Sequence, residues 1–238
     1  MKPMNLDELV TECFKLLAKV LEEACLQCQA TPGDLREAFV YRHARNISQL
    51  GQDVLCLESR GQTDSCPIIV RAMLESLFKM VAATKEANAS VGIVLAEVEE
   101  ETARINQWIR VVGDEAVDLK DTVQELSSFA QRLRVQYCVQ SSKTWNVFEC
   151  AKVADLDGIY RQYYFLFSKH SHATASGIIA QEYQVVRGIV LQAVVFVVLS
   201  AVADLVQVVK TRTPQQHVDE AAKLLAVATD VFEANEAI

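Results

Sequence analysis

The sequence predicts an all-α protein, a single bundle of about seven or eight helices around one long apolar central helix. Three observations carry this. Glycine (8) and proline (4) are scarce in a chain of 238 residues, whereas strand-rich folds consume both in their turns. Apolar residues recur at steps of three and four through most of the chain, the period of one helix face. The run Gly188 to Val209 is nearly all apolar, the pattern of a helix buried on every side. No internal repeat or long linker interrupts the series, so residues 1–238 read as one domain.

The first helix is expected from about Asn5 to Gln29, with Leu6, Leu9, Val10, Cys13, Leu16, Leu17, Val20, Leu21 and Ala24 on its apolar face. Thr31-Pro32-Gly33-Asp34 ends it and opens the second, with Thr31 as N-cap, Pro32 in the first turn and Asp34 near the positive helix end. That helix ends near Ser59-Arg60-Gly61, and a third begins around Ser65-Cys66-Pro67 with a wide apolar face from Ile68 to Val81. A more exposed, glutamate-rich helix follows from about Asn88 to Gly113, then another from about Asp114 to Val139. Gln140 to Lys152 reads as a loop that tucks Trp145 and Phe148 onto the core. A helix from about Asp155 to Lys169, a polar turn through His170-Ser171-His172 and a long helix from about Ser176 to Lys210 come next. Thr213-Pro214-Gln215-Gln216 caps a final amphipathic helix.

Composition narrows the function classes. Hydrophobic residues at 51% and charged residues at 23% describe a globular chain, not a disordered one. A net charge of −8 opposes non-specific attraction to nucleic acid phosphates. The seven cysteines are odd in number, and no signal-peptide hydrophobic region opens the chain. Both point to free thiols in a reducing cytoplasm. Cys25-x-x-Cys28 has redox or half-zinc spacing, but it sits inside a helical pattern without a second pair, so structural thiols are expected. Gly188 to Val209 has the length of a membrane span. Gln192 and Asp204 would then lie in lipid, so a buried core helix is expected and no membrane partner.

Two constellations could carry chemistry. Arg71 and Glu75 stand one turn apart in the apolar run Ile68 to Phe78. They form either an exposed ion pair or a satisfied pair inside the bundle. Further on, Tyr164, Ser168 and His172 align at four-residue steps if the helix persists. Hydroxyls beside a group titrating near neutrality suit acid–base work or anion binding. The competing reading has the tyrosines packing and the histidines capping a helix C-terminus. Arg36 with His43, and Arg212 with His217, are formal arginine–histidine pairs at a spacing that chance readily supplies. His170-x-His172 lacks an acidic or cysteine partner, and no phosphate-binding glycine loop or hydrolase elbow occurs. Neither metal nor cofactor is expected. The run Glu97 to Glu101 reads as a solvated helix face.

The run from Val54 to Met80, with Arg71-x-x-x-Glu75, together with Tyr164-x-x-x-Ser168-x-x-x-His172, resembles a family of uncharacterised, predominantly bacterial helical proteins, the family of unknown function DUF5677. The resemblance covers about Phe39 to the long apolar helix. It implies a helical bundle with a shared polar site but no established activity. The chain is also similar in general look to the HEPN superfamily of helical bundles, many of which cut RNA while others bind nucleotides or serve as scaffolds. Those ribonucleases pair an arginine with a histidine after a short spacer. Neither arginine–histidine pair here falls in the Tyr164 to His172 segment.

Arg71, Glu75, Tyr164, Ser168 and His172 are therefore expected in one ligand-binding pocket, with Arg71 and His172 as the catalytic candidates if there is a reaction. The guanidinium fork of Arg71, oriented by Glu75, suits a phosphate-containing or other anionic ligand. RNA is the partner only under the ribonuclease alternative. A purely structural bundle is the third reading, and a homodimer is left open.

Overall fold

A computed structural model describes residues 4–30, 34–113, 117–139, 144–164, 166–167, 180–209, 211 and 213–236. Helix α1 (Leu6–Ala30) opens on a reciprocal capping box. The Asn5 N–H donates to Glu8 at 2.9 Å, and the Glu8 N–H donates to the Asn5 side chain at 2.9 Å. The stripe of Leu9, Val10, Cys13, Leu16, Leu17, Val20 and Ala24 is buried, as the periodicity predicts.

Helix α2 (Leu35–Ser59) is capped by Asp34, whose carboxylate accepts from the N–H groups of Arg36 and Glu37. This corrects the expected cap at Thr31: the first helical residue is Leu35, so Pro32 does not occupy the first turn. Residues 31–33 lie outside the described ones. The helix ends with Gly61 at φ 69° and the Gln62 N–H returning to the Leu57 carbonyl at 2.9 Å. Such a left-handed C-terminal turn favours glycine. A 3-10 turn (Thr63–Ser65) leads into α3 (Cys66–Lys85), with Pro67 in its first turn. Most of α3 is buried, from Cys66 to Thr84.

Helices α4 (Ala89–Val112) and α5 (Val117–Tyr137) pair as a hairpin arm. A small core of Val91, Leu95, Ala130 and Leu133 holds its base. Towards the tip, Trp108, Val111 and Val112 are exposed. The glutamate run is largely solvated, as expected. It also ties the arm together, through Glu97 with Lys79 of α3 at 2.6 Å and Glu99 with Arg134 of α5.

The segment expected to be a loop contains a helix, α6 (Val147–Val153). Asn146 caps it by accepting from the Glu149 N–H at 2.9 Å, and Cys150 and Ala151 are buried. Trp145 does tuck onto the core, closely enough that a methyl at Gly92 would meet its ring nitrogen at 2.1 Å. A tight turn at Asp155 (φ 57°) leads to the short α7 (Asp157–Ile159), which widens into a π-helical turn over Tyr160–Tyr164.

Helix α8 (Ala180–Val208) is the central strut, in contact with α1, α2, α3 and the last helix, α9 (Pro214–Glu236). Val190, Leu191, Val194, Val197, Val198, Ala201, Val202 and Leu205 are buried against them. Each such valine or leucine contributes about 1.5–3 kcal/mol by leaving water. Arg187 sets the strut in place by donating to Glu58 of α2 and to Asp7 of α1, each at 2.7 Å. Arg187–Val208 is, among the described residues, the one helix long and apolar enough to cross a membrane, and 67% of that apolar window is buried inside the protein. The described residues form nine α-helices and no strand, so the all-α expectation holds, with α6 as the added element.

Burial decides the chemistry of the inner thiols. Desolvation, with the neighbouring Glu12 charge, pushes Cys13 up to about 12. Cys66 rises to about 11 through desolvation and the carboxylate of Glu58. At neutral pH both are protonated and poorly nucleophilic. Cys25 is half-buried within α1, and the side chain of Cys28 lies outside the described ones.

Candidate functional site

Arg71 and Glu75 lie on α3 at i and i+4, and the π-turn carries Tyr164 to them from 93 residues further along the chain. The Arg71 guanidinium donates to the Tyr164 hydroxyl at 2.9 Å, and that hydroxyl donates onward to Glu75 at 2.8 Å. The Arg71 Nε lies 3.3 Å from the same Glu75 oxygen. Its Cζ also sits 4.9 Å from the centre of the Tyr164 ring, within cation–π range. Three side chains thus close a triangle of one cation, one anion and one hydroxyl.

The aromatic setting holds this triangle rigid. Tyr160 stacks on Tyr164 at 4.7 Å and 17°. Phe148 of α6 meets Tyr160 at 5.1 Å, and buried Phe78 of α3 presents an edge to Tyr164 at 6.4 Å. Arg71 and Glu75 keep 28% and 31% of their side-chain surfaces in solvent, while Tyr164 is 9% exposed. The cluster therefore has a closed floor and an open rim. Widened π-turns recur at functional sites because they redirect side chains out of helical register.

Burial shapes the electrostatics. Desolvation, then the hydrogen bond to the Glu75 carboxylate, pushes the Tyr164 hydroxyl up to about 12 against the opposing pull of Arg71. At neutral pH it is therefore a neutral donor. Desolvation works against the Arg71 charge, but the contacts with Tyr164 and Glu75 outweigh it and raise its pKa. The cation is permanent.

Ser168 and His172 lie outside the described residues, as do His170 and Arg212. Arg36 has a structural post: its guanidinium donates to the Ala83 carbonyl at 2.8 Å and to the Thr84 carbonyl, satisfying the C-terminus of α3. His43 packs against Phe39, and desolvation, reinforced by Lys79, lowers its pKa to about 4. His217 is wholly buried, its Nε2 3.1 Å from both Glu23 and Thr213. Among the described residues no group of three or more histidine, cysteine, aspartate or glutamate side chains could hold a metal.

Sequence reasoning did not single out Tyr160 and Phe148 as the floor of the cluster. The four-residue step from Tyr160 to Tyr164 carried the signal for the stack, whereas no local pattern announces a π-turn.

An all-α bundle built around an apolar strut, with an arginine–glutamate–tyrosine cluster at a widened turn, defines the class. The model of a family of unknown function (DUF5677) matches residues 37–183, more than half of the chain. The protein belongs to that family. The matched region holds Arg71, Glu75 and Tyr164 together with Ser168 and His172. No curated protein and no solved structure matches the chain.

Proposed function

We propose that this protein is a ligand-binding or regulatory module of the cytoplasm whose polar pocket takes a phosphate-containing or other anionic ligand. The observation that supports the reading is the Arg71–Glu75–Tyr164 triangle. A permanent guanidinium is held in one orientation by a carboxylate and an aromatic face, and its rim remains open to solvent. Holding the fork in place before the ligand arrives lowers the entropy cost of binding, and a planar guanidinium matches two phosphate oxygens at once. Tyr164, whose one O–H is given to Glu75, accepts from the guanidinium and so helps to fix its direction. Ser168 and His172, a few residues on, would complete the ligand contacts with a second hydroxyl and a titrating imidazole.

The ribonuclease alternative has less behind it. Arg36, one of its two arginine candidates, is engaged by the carbonyls that end α3, and the chain is acidic overall. One experiment separates the two readings. The protein and its Arg71→Ala and His172→Ala variants are purified from cells, matched for fold by circular dichroism, and compared by native mass spectrometry and on total cellular RNA. The binding module predicts an anionic ligand retained by the wild type and lost from Arg71→Ala, with the RNA intact. Cleavage of RNA that either folded variant abolishes would overturn it in favour of the nuclease. Absence of both activities would leave the triangle with a structural role only.

A further inference from the structure

A concavity lies between α3 and the central strut. Leu74 of α3, Tyr163 of the π-turn, Gln192, Ala193 and Phe196 of α8 and Phe232 of α9 line a partly open cavity of about 180 Å³. Ile159 of α7 completes the lining, so five separate elements build its walls and it is a feature of the assembled bundle and not of one loop. Three of those side chains are aromatic. No charged side chain lines it, and an ionised ligand would lose its hydration there without an ionic partner. Gln192, a polar residue in the middle of the apolar strut, supplies an amide that can both donate and accept a hydrogen bond. Ala193 beside it is small and keeps the space open. An apolar cavity of about 150 Å³ is known to accept a benzene ring, so this one accommodates a ring with one substituent.

We propose that this cavity binds a small, neutral aromatic compound whose single hydrogen-bonding group is read by Gln192. The ring slots between Tyr163, Phe196 and Phe232, in the offset and edge-on geometries that aromatic groups prefer. The amide of Gln192 then distinguishes a hydroxylated or N–H-bearing ring from a bare hydrocarbon. Gln192 is half-buried at the cavity wall, so a ring substituent that shields the amide without bonding to it forfeits the hydrogen bond that water would otherwise supply. Tyr163, in the cavity wall, is the chain neighbour of Tyr164 in the anion-binding triangle. The proposal nevertheless stands apart from the anion reading, since none of the seven lining side chains belongs to the triangle.

Phenol and toluene test it directly, because they share a shape and differ only in hydroxyl against methyl. The full chain is titrated with each by NMR, following the ring resonances of Tyr163 and Phe232. Saturable phenol binding with Kd on the order of 0.1–1 mM is expected, from the efficiency of ligands this small. Gln192→Leu, which keeps the volume of the wall, weakens phenol about tenfold and toluene less than about twofold. Ala193→Leu fills the space and weakens both at least about tenfold. Should Ala193→Leu fail to fold, the phenol-to-toluene ratio in Gln192→Leu decides alone. Absence of saturable binding to the folded wild type at about ten times that Kd, or binding that ignores Gln192→Leu, would overturn the proposal.

Discussion

Tyr164 holds one hydroxyl between opposite charges, accepting from Arg71 and donating to Glu75. Each bond is charge-assisted and only partly open to water, which places it above an ordinary surface contact in strength. Phenylalanine in its place would keep the stack on Tyr160 and the ring beneath the guanidinium, and lose only the two hydrogen bonds. Tyr164→Phe should therefore cost about 1–2 kcal/mol, read as a lower urea midpoint at unchanged slope. An unchanged midpoint would mean that solvent already carries those bonds and that the triangle is loosely held. The same substitution leaves Arg71 less constrained, so its effect on anion affinity should be smaller than that of Arg71→Ala.

At the scale of the helices, positions of closest approach matter more than propensity. Gly51 of α2 faces α1 so tightly that a methyl there would lie 2.0 Å from the tip of the Phe14 ring. Gly188 of α8 is also helical, but nothing lies within 4 Å of where its methyl would go. The same change should therefore have opposite signs. Gly51→Ala pushes α1 and α2 apart and costs about 1–3 kcal/mol, while Gly188→Ala gains about 0.5–1 kcal/mol by restricting the unfolded chain. Thermal or urea unfolding of the pair checks this, and a loss at Gly188 would mean that a neighbour packs against α8 at that position.

The same scale shows where local signals sufficed and where they did not. Among α1 to α4 the boundaries were legible where a cap or breaker stands, at Asn5 with Glu8, Gly61, Pro67 and Gly113, whereas the start of α2 was placed too early, at Thr31 and not at Asp34. Helix α6 was missed although Asn146 stands three residues before Glu149, the spacing of an N-cap pair. The polar, proline-free stretch before it reads as loop, and seven residues are too few to display a full period. The π-turn had no signal at all, because an i to i+5 bond arises from packing on α3 and not from residue types. Arg71 and Glu75 shared a face by arithmetic. Their meeting with Tyr164 depends on how α3 and α6 to α8 fold back on each other, and only the family resemblance hinted at it.

Two half-buried titrating groups govern how the stability of the whole molecule should respond to pH. Burial holds Asp204 of α8 up at about 6, above its ordinary 3.8 and against the pull of Lys85. Its folded pKa is raised, so its contribution is complete below about 4 and is lost as pH rises through about 6. Burial, reinforced by Lys79, holds His43 down at about 4 from an ordinary 6.5. Its contribution is present above about 6.5 and is lost as pH falls through about 4. The two slopes oppose each other across that window, and single variants should separate them. Asp204→Asn should raise stability at pH 7 by about 1–3 kcal/mol and leave it unchanged at pH 4. His43→Phe should flatten the acid side alone. Parallel shifts at both pH values would mean that neither group titrates in the window.

The anion site is the claim on which the functional reading rests, and one measurement addresses it most directly. The side-chain Nε–Hε resonance of Arg71 is followed by NMR while inorganic phosphate is added to the full chain, with sodium chloride at matched ionic strength as the control. An anion site at Arg71 gives a saturable shift of that resonance with phosphate, absent with chloride and abolished in Glu75→Ala, where the fork is no longer oriented. A resonance that moves identically with both salts would contradict it, and the triangle would then be a fastening between α3 and the π-turn.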